Sequence, residues 1–205
     1  MIETCLCGKK GEFKVEHGFL CKLCYQKYLE EKLTRFLNKA GFINMNNKYV
    51  LVSDSNANPV QVLLLNKFFQ KHKLVSYVVA DSKEKSQDYF LYLQELANKF
   101  KGYVIMLPNT VDFECVMGLK FILKEFKLKN YFGSSFKIGK AEFIKPFYSI
   151  KDEELEQYAR IKKIKYAKKI KIKNYEKYSG LIADLDKKYF IKRSFLNSIQ
   201  EISKI

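Results

Sequence analysis

Four of the five cysteines lie within the first 24 residues of the chain. Cys5 and Cys7 form a C-x-C pair, and Cys21 and Cys24 form a C-x-x-C pair after thirteen intervening residues. Four thiolates that converge from two tight turns are the ligand set of a tetrahedral structural zinc site. A disulfide framework is unusual in an intracellular chain, so we predict that these four cysteines, the cysteine quartet, bind zinc.

Two features leave alternatives open at this site. The single residue between Cys5 and Cys7 is a tighter spacer than zinc knuckles usually have, and the competing interpretation of the quartet is four free thiols. His17 is an alternative ligand, but a surface histidine is the favoured interpretation because four cysteines already complete the site. Cys115 lies among apolar residues of a predicted helix, which favours a thiol of the core.

The second cysteine pair runs directly into a charged segment with an amphipathic pattern. Apolar residues recur there at spacings of three and four from Tyr25 to Leu37, and Gly41 follows as a stop signal. The pattern predicts a helix that begins at the metal site. We assign residues 1–45 to a zinc knuckle and this helix.

Three strand-then-helix units follow. Apolar runs predict strands at 48–53, 74–80 and 103–107, and periodic segments predict helices at 60–73, 83–102 and 110–127. Parallel strands need crossover helices, so this order predicts an α/β fold with a parallel sheet covered by helices on both faces. The α/β domain is expected over residues 46–150.

Residues 151–205 are predicted to be helical and basic. The run from Arg160 to Lys173 contains eight basic residues in fourteen and no acid. Such a run is either a solvated, self-repelling linker or a contact to nucleic acid, and the two interpretations are equally supported. The candidate phosphate contacts are Lys162, Lys163, Lys165, Lys168, Lys169, Lys171 and Lys173.

Composition narrows the classes of function. The 205 residues are 47% hydrophobic, which is enough for a real core, and 38 Lys and Arg against 22 Asp and Glu give a net charge of +16. This charge predicts a polyanionic partner, most commonly nucleic acid and otherwise an anionic membrane surface. No apolar run reaches the roughly 18 residues of a membrane span, and the N-terminal residues lack a secretory pattern. We therefore expect a cytoplasmic protein.

The loop after the first strand occupies the position where α/β folds bind phosphates. It consists of Ser53, Asp54, Ser55, Asn56, Ala57 and Asn58, and it contains no glycine. Without glycine the backbone cannot wrap closely around a phosphate, and Asp54 adds a negative charge beside the anion. The residues favour an ordinary strand-to-helix turn over a nucleotide cradle.

Several segments in this order resemble the cytoplasmic tRNA 2-thiolation protein 2 family, within the PP-loop ATP pyrophosphatase superfamily. They are the cysteine knuckle, CKLCYQKYLEEKLTRFLNK, KYVLVSDSNANPVQVLLLNKF and FIKPFYSIKDEELEQYARIKKI. Catalytic members of the superfamily carry Ser-Gly-Gly-x-Asp-Ser after the first strand, and only Ser53 matches it. Leu107-Pro108-Asn109 stands where relatives have Gly-Asp-Ser or Gly-His-Asn. Lys145-Pro146-Phe147 is similar to their Arg-Pro-Leu.

The resemblance implies a non-catalytic subunit of a heterodimeric tRNA thiolase. In that role the chain would bind tRNA and a catalytic PP-loop partner, which would use ATP to activate the wobble uridine of tRNAs for Lys, Glu and Gln. Sulfur would arrive from a ubiquitin-related carrier. Structural zinc is the expected cofactor, and neither a catalytic residue nor a nucleotide site is expected in this chain.

Two other functions stay open. The chain could itself be an ATP-dependent tRNA sulfurtransferase with an unusual loop, although Asp54 would repel the phosphates that the loop should hold. It could instead be a stand-alone RNA-binding protein with a zinc knuckle. An intact PP-loop paralogue in the same proteome would argue against this last function.

Overall fold

The computed structural model of the chain describes residues 4–15, 18–42, 44, 46–53, 59–72, 77–81, 89–126, 131–166, 174–189 and 191–203. The strands in these ranges are β1 (Phe13–Val15), β2 (Gly18–Leu20), β3 (Tyr49–Ser53), β4 (Tyr77–Asp81), β5 (Val104–Met106), β6 (Ser135–Ile138) and β7 (Ala141–Ile144). The helices are α1 (Lys22–Lys39), α2 (Pro59–Lys71), α3 (Tyr89–Lys99), α4 (Val111–Ile122), α5 (Asp152–Lys162), α6 (Tyr175–Tyr189) and α7 (Lys192–Ile202).

Among the described residues, the main sheet has five strands in the order β4-β3-β5-β7-β6. The strands β4, β3, β5 and β7 are parallel, with Leu51 of β3 opposite Met106 of β5. The side chains of β5 and residues 49–52 of β3 are buried, as in strands covered on both faces. The predicted α/β fold with a helix-covered sheet is confirmed.

The edge of this sheet differs from the prediction. β6 and β7 form an antiparallel hairpin, so the sheet is mixed rather than wholly parallel. Gly139 in its turn has φ +58°, in the left-handed region that favours glycine. Strands of four residues give too short an alternation to be recognised before their partner is known.

Several boundaries of helices and strands also differ from the predicted ones. α4 begins after Thr110, whose hydroxyl accepts a hydrogen bond from the Phe113 amide, and it ends at Ile122 rather than Lys127. α3 ends at Lys99 rather than Gly102, and β4 continues to Asp81. Of the helices in the described ranges, none combines the length and apolarity that crossing a membrane requires.

Consecutive residues of the central strands point to opposite faces and enter two cores. Val50, Ile105 and Phe143 pack with α3, α4, α6 and α7. Leu51 and Met106 pack on the other face with α1, α2 and α5. In the part of the chain that the structure describes, three helices therefore cover one face of the sheet and four cover the other.

Candidate metal centre and switch point of the sheet

The cysteine quartet is brought together by a tight turn and a helix start. In the turn, the Gly8 amide donates a 2.8 Å hydrogen bond to the Cys5 carbonyl, and Gly8 has φ +82°. Cys21 is the N-cap of α1, which places Cys24 in the first turn of that helix. Two cysteines three residues apart at a helix start lie on the same side, so Cys21 and Cys24 face together. The turn that carries Cys5 and Cys7 brings the other two sulfur atoms to them.

The four Sγ atoms all lie within 4.8 Å of one another. Cys7 Sγ is 3.5 Å from Cys5 Sγ and 3.6 Å from Cys21 Sγ. A tetrahedron of thiolates at about 2.3 Å from one zinc ion has edges of about 3.8 Å, so these spacings fit a single ion. In a four-iron cluster each thiolate binds a different iron atom, which sets the sulfurs further apart.

Backbone amides stabilise the thiolates of Cys5 and Cys21. The backbone N–H groups of Cys7 and then Cys21 lower the pKa of Cys5 to about 6. The backbone of Cys24 likewise lowers the pKa of Cys21. Hydrogen bonds to the sulfur of Cys7 and then of Cys21 raise the pKa of Cys24 to about 12. Such amide contacts are the outer shell that thiolate ligands of a metal use.

Each cysteine pair has an exposed leucine between its two cysteines. Leu6 is 99% exposed and Leu23 is 59% exposed. Lys9 and Lys10 follow in the same turn and are also exposed. The knuckle thus presents apolar and basic side chains together, while His17 lies outside the described residues.

Helix α1 ties the cysteine quartet to α5. Lys32 Nζ contacts both carboxylate oxygens of Glu154 at 2.7 and 2.8 Å, and the Tyr28 hydroxyl donates to the same group at 3.2 Å. The Glu154 carboxylate also accepts from the Lys151 amide at 2.8 Å and so caps α5. One carboxylate therefore joins the helix that carries Cys24 to the start of α5.

The predicted phosphate contacts divide into three groups. Lys162 is half-buried, donates to Gln26 Oε1 at 2.6 Å and lies over the Tyr158 ring. Lys163, which ends α5 with φ +56°, and Lys165 are exposed. The remaining candidates, Lys168, Lys169, Lys171 and Lys173, lie outside the described residues. Lys163 and Lys165 are thus the described candidates that face solvent.

The sheet has its topological switch point between β3 and β5. From β3 the chain moves to β4 on one side and then to β5 on the other, and α/β folds bind ligands outside the carboxyl ends of such strands. Ser53 ends β3 there, while Asp54, Ser55, Asn56, Ala57 and Asn58 lie outside the described residues. Gln61 Nε2 donates 2.8 Å to the Pro108 carbonyl and ties α2 to the turn after β5.

A buried polar network lies beside this switch point. Asn109 Nδ2 donates to Glu114 Oε1 at 2.7 Å, to the Tyr131 hydroxyl at 2.9 Å and to the Tyr89 hydroxyl at 3.1 Å. Lys145 Nζ donates to Glu114 Oε2 at 2.7 Å and to the Tyr131 carbonyl at 2.8 Å. Asn109 and Lys145, from the turn and the Lys-Pro-Phe segment compared with PP-loop relatives, therefore point into the protein.

Lys145 is fully buried, and its ammonium lies 3.5 Å from the centre of the Tyr131 ring. Burial lowers the pKa of Lys145 to about 8, against the opposing effect of the Glu114 carboxylate. Sequence reasoning missed Glu114 and Tyr131. The available signal was the carboxylate of Glu114 inside the apolar run FECVMG, because buried charges are nearly always paired.

These features define an α/β fold with four converging cysteines that could hold a metal ion. Comparison with known proteins adds one structural neighbour. No protein-family model and no curated protein matches the chain. Its fold is similar to that of a solved structure, the U34-tRNA thiolase NcsA from Methanococcus maripaludis with its [4Fe-4S] cluster. The TM-score is 0.72 at 16% identity, over 100% of this chain and 88% of that chain. The chain thus shares its overall fold with that solved structure.

Proposed function

We propose that this chain is the non-catalytic subunit of a heterodimeric tRNA thiolase that modifies wobble uridine in cytoplasmic tRNAs for Lys, Glu and Gln. The observation that carries the proposal is a thiolase-type fold whose switch point is lined by an internally satisfied network. A catalytic PP-loop partner would supply ATP chemistry. This chain would contribute a metal-stabilised scaffold and part of the tRNA-binding surface.

The side chains around the switch point support a non-catalytic role. The amide group of Asn109 and the ammonium group of Lys145 are both engaged with Glu114 and Tyr131. Binding a triphosphate there would require a cation and free donors, and these groups are committed to the core. The glycine-free sequence from Ser53 to Asn58, with a carboxylate at Asp54, adds to this argument.

The cysteine count supports a single zinc ion. The 205 residues contain five cysteines, and Cys115, the one outside the quartet, is fully buried in α4. An iron–sulfur cluster held by cysteines in this chain would therefore have to use the quartet. The short sulfur–sulfur distances in the quartet favour one tetrahedral ion, so we propose zinc in a structural role.

Charge and exposure support tRNA as the nucleic-acid partner. A net charge of +16 attracts a polyanion, and the exposed Lys163 and Lys165 extend from α5 next to the helix that carries the metal centre. Phosphate contacts of this kind position RNA without reading its sequence. Selection of the wobble uridine would then be shared with the catalytic partner, and a ubiquitin-related carrier would deliver sulfur to that partner.

Reconstitution tests the proposal. The purified chain, an intact PP-loop paralogue and unmodified tRNA are combined with ATP and a sulfur donor, and 2-thiouridine is measured by mass spectrometry. We expect little product from the paralogue alone, none from this chain alone, and robust product from both. A Cys24→Ser variant should lower the yield, whereas Cys115→Ala should not. Full activity of the paralogue alone would reject the proposal.

The similarity to an active thiolase favours one competing function, in which this chain is itself an ATP-dependent tRNA sulfurtransferase. Isothermal titration of the chain with magnesium-ATP separates the two. We expect no measurable binding. Micromolar binding that Asp54→Lys abolishes, together with 2-thiouridine formed by the chain alone, would establish the enzyme instead.

A further inference from the structure

A groove lies at the amino ends of the strands, opposite the switch point. Its volume is about 960 Å³, and it runs between the end of α3, the start of β5 and the β6–β7 hairpin. The lining side chains that matter for recognition are Gln94, Asn98, Lys101, Tyr103, Lys140 and Glu142. None of these residues belongs to the metal centre or to the network around Lys145.

A row of exposed lysines follows this end of the sheet. Lys48 precedes β3, Lys101 precedes β5 and Lys140 precedes β7, and these three strands are neighbours. The Val104 amide donates 2.8 Å to the Lys48 carbonyl, which places Lys48 beside the start of β5. Neighbouring strands are about 4.8 Å apart, so the backbone segments that carry the three lysines enter the sheet at a spacing of the same order as that of successive phosphates of a nucleic-acid strand.

The rest of the lining suits nucleotides better than acidic peptide. Tyr103 directly precedes β5, is half-buried and lines the groove, where its aromatic ring offers a surface on which a base can stack. The amides of Gln94 and Asn98 can donate to and accept from base edges. Glu142 would repel any anion placed beside it, so bound phosphates are expected at the lysines and away from Glu142.

We propose that this amino-end groove binds a single-stranded segment of RNA, with phosphates on Lys48, Lys101 and Lys140 and a base on Tyr103. This surface is separate from the basic segment that follows α5. The proposal does not require thiolation activity, because it concerns direct binding of RNA by this chain.

The salt dependence of binding tests the row of lysines. A triple variant of the full chain, Lys48→Gln, Lys101→Gln and Lys140→Gln, is compared with a control that removes equal charge from exposed positions on α6 and α7, Lys177→Gln, Lys187→Gln and Arg193→Gln. The ligand is a fluorescent single-stranded oligouridylate, and the logarithm of its affinity is plotted against the logarithm of the salt concentration. We expect this plot to be less steep in the triple variant, its negative slope being smaller in magnitude by about 2. Equal slopes in the two variants would overturn the proposal, since the groove would then be solvated surface only.

Two further measurements test the groove chemistry. Tyr103→Leu should weaken binding of the oligouridylate about tenfold, whereas Tyr103→Phe, which keeps the ring, should bind normally. Photocrosslinking with 4-thiouridine in the oligonucleotide should label the peptide that contains Tyr103. Displacement of the oligouridylate by polyglutamate at equal charge concentration would overturn the proposal in favour of an acidic protein partner. If the groove binds RNA but reconstitution yields no 2-thiouridine, only the proposed function fails.

Discussion

Lys145 Nζ lies 2.7 Å from Glu114 Oε2, and neither side chain has any solvent exposure. Removing two charges from water costs more free energy than their attraction alone returns, unless other hydrogen bonds satisfy them. Here Asn109 and the hydroxyl and carbonyl of Tyr131 supply those bonds. The pair therefore joins α4 to the end of β7 in one defined geometry.

Breaking this pair should be costly. Glu114→Gln leaves the Lys145 ammonium buried without its carboxylate, so we expect the free energy of unfolding to fall by about 3–5 kcal/mol in urea titrations. The double variant Glu114→Gln, Lys145→Met should lose less than the sum of the two single variants, because neither charge is then unpaired. Strict additivity would contradict the coupling.

Removal of a quartet ligand should release the metal. We expect Cys24→Ser to lose zinc, measured by atomic emission, and to expose the N-terminal residues to protease, because structural zinc contributes folding free energy directly. Cys115→Ala is the matched control and should keep its zinc. Iron and acid-labile sulfide in the wild-type protein, in place of zinc, would contradict the assignment of a single ion.

The contact between α1 and α5 should carry measurable stability. Glu154→Gln removes the ion pair with Lys32 and weakens the helix cap, so we expect a loss of about 1–3 kcal/mol in the free energy of unfolding. Glu156 pairs with Arg160 on the same helix, but both side chains are well exposed. Glu156→Gln should therefore change stability by less than about 0.5 kcal/mol. Similar losses in the two variants would argue against a stabilising contact between Lys32 and Glu154.

Two glycines in helices offer a matched pair of alanine substitutions. A Cβ at Gly118 of α4 would lie 3.1 Å from Phe195 and 3.2 Å from Ile199 of α7. We expect Gly118→Ala to destabilise the protein by about 1–3 kcal/mol because α7 must shift. A Cβ at Gly180 meets nothing within 4 Å, so Gly180→Ala should stabilise by about 0.5–1 kcal/mol. Thermal unfolding gives both values, and a neutral Gly118→Ala would mean that α7 packs loosely.

Stability should fall in alkaline solution. Burial raises the pKa of Tyr89, Tyr131 and Tyr158 above the ordinary value near 10. Below pH 10 both states keep these protons, whereas above it the unfolded chain ionises first, so it binds fewer protons than the folded state. The free energy of unfolding therefore decreases as pH rises above about 10. Urea titrations and tyrosinate absorbance check this, and full ionisation of the tyrosines with unchanged circular dichroism would contradict it.

Much of the fold was predictable because its signals are local. The apolar run 48–53 and the periodic segment after Pro59 each carry their own pattern, and β3 and α2 lie where these patterns predict. The short hairpin at Gly139 was not predicted, because its four-residue strands are defined by their pairing and not by a local sequence pattern. The predicted role of the loop from Ser53 to Asn58, and those of Lys168 to Lys173, stay predictions.

The sequence by itself determined the four-cysteine spacing, the alternation of strands and helices and the excess of positive charge. The spacing and the alternation are properties of residues close in sequence, and the net charge is a sum over the composition. Only the tertiary structure decided that Lys145 faces Glu114 across 31 residues, and that α1 meets α5 through Lys32 and Glu154. It also decided that Lys48, Lys101 and Lys140 precede three strands that are neighbours in the sheet. Such contacts depend on which strands become neighbours and how helices pack on them, and local spacing carries no information about either.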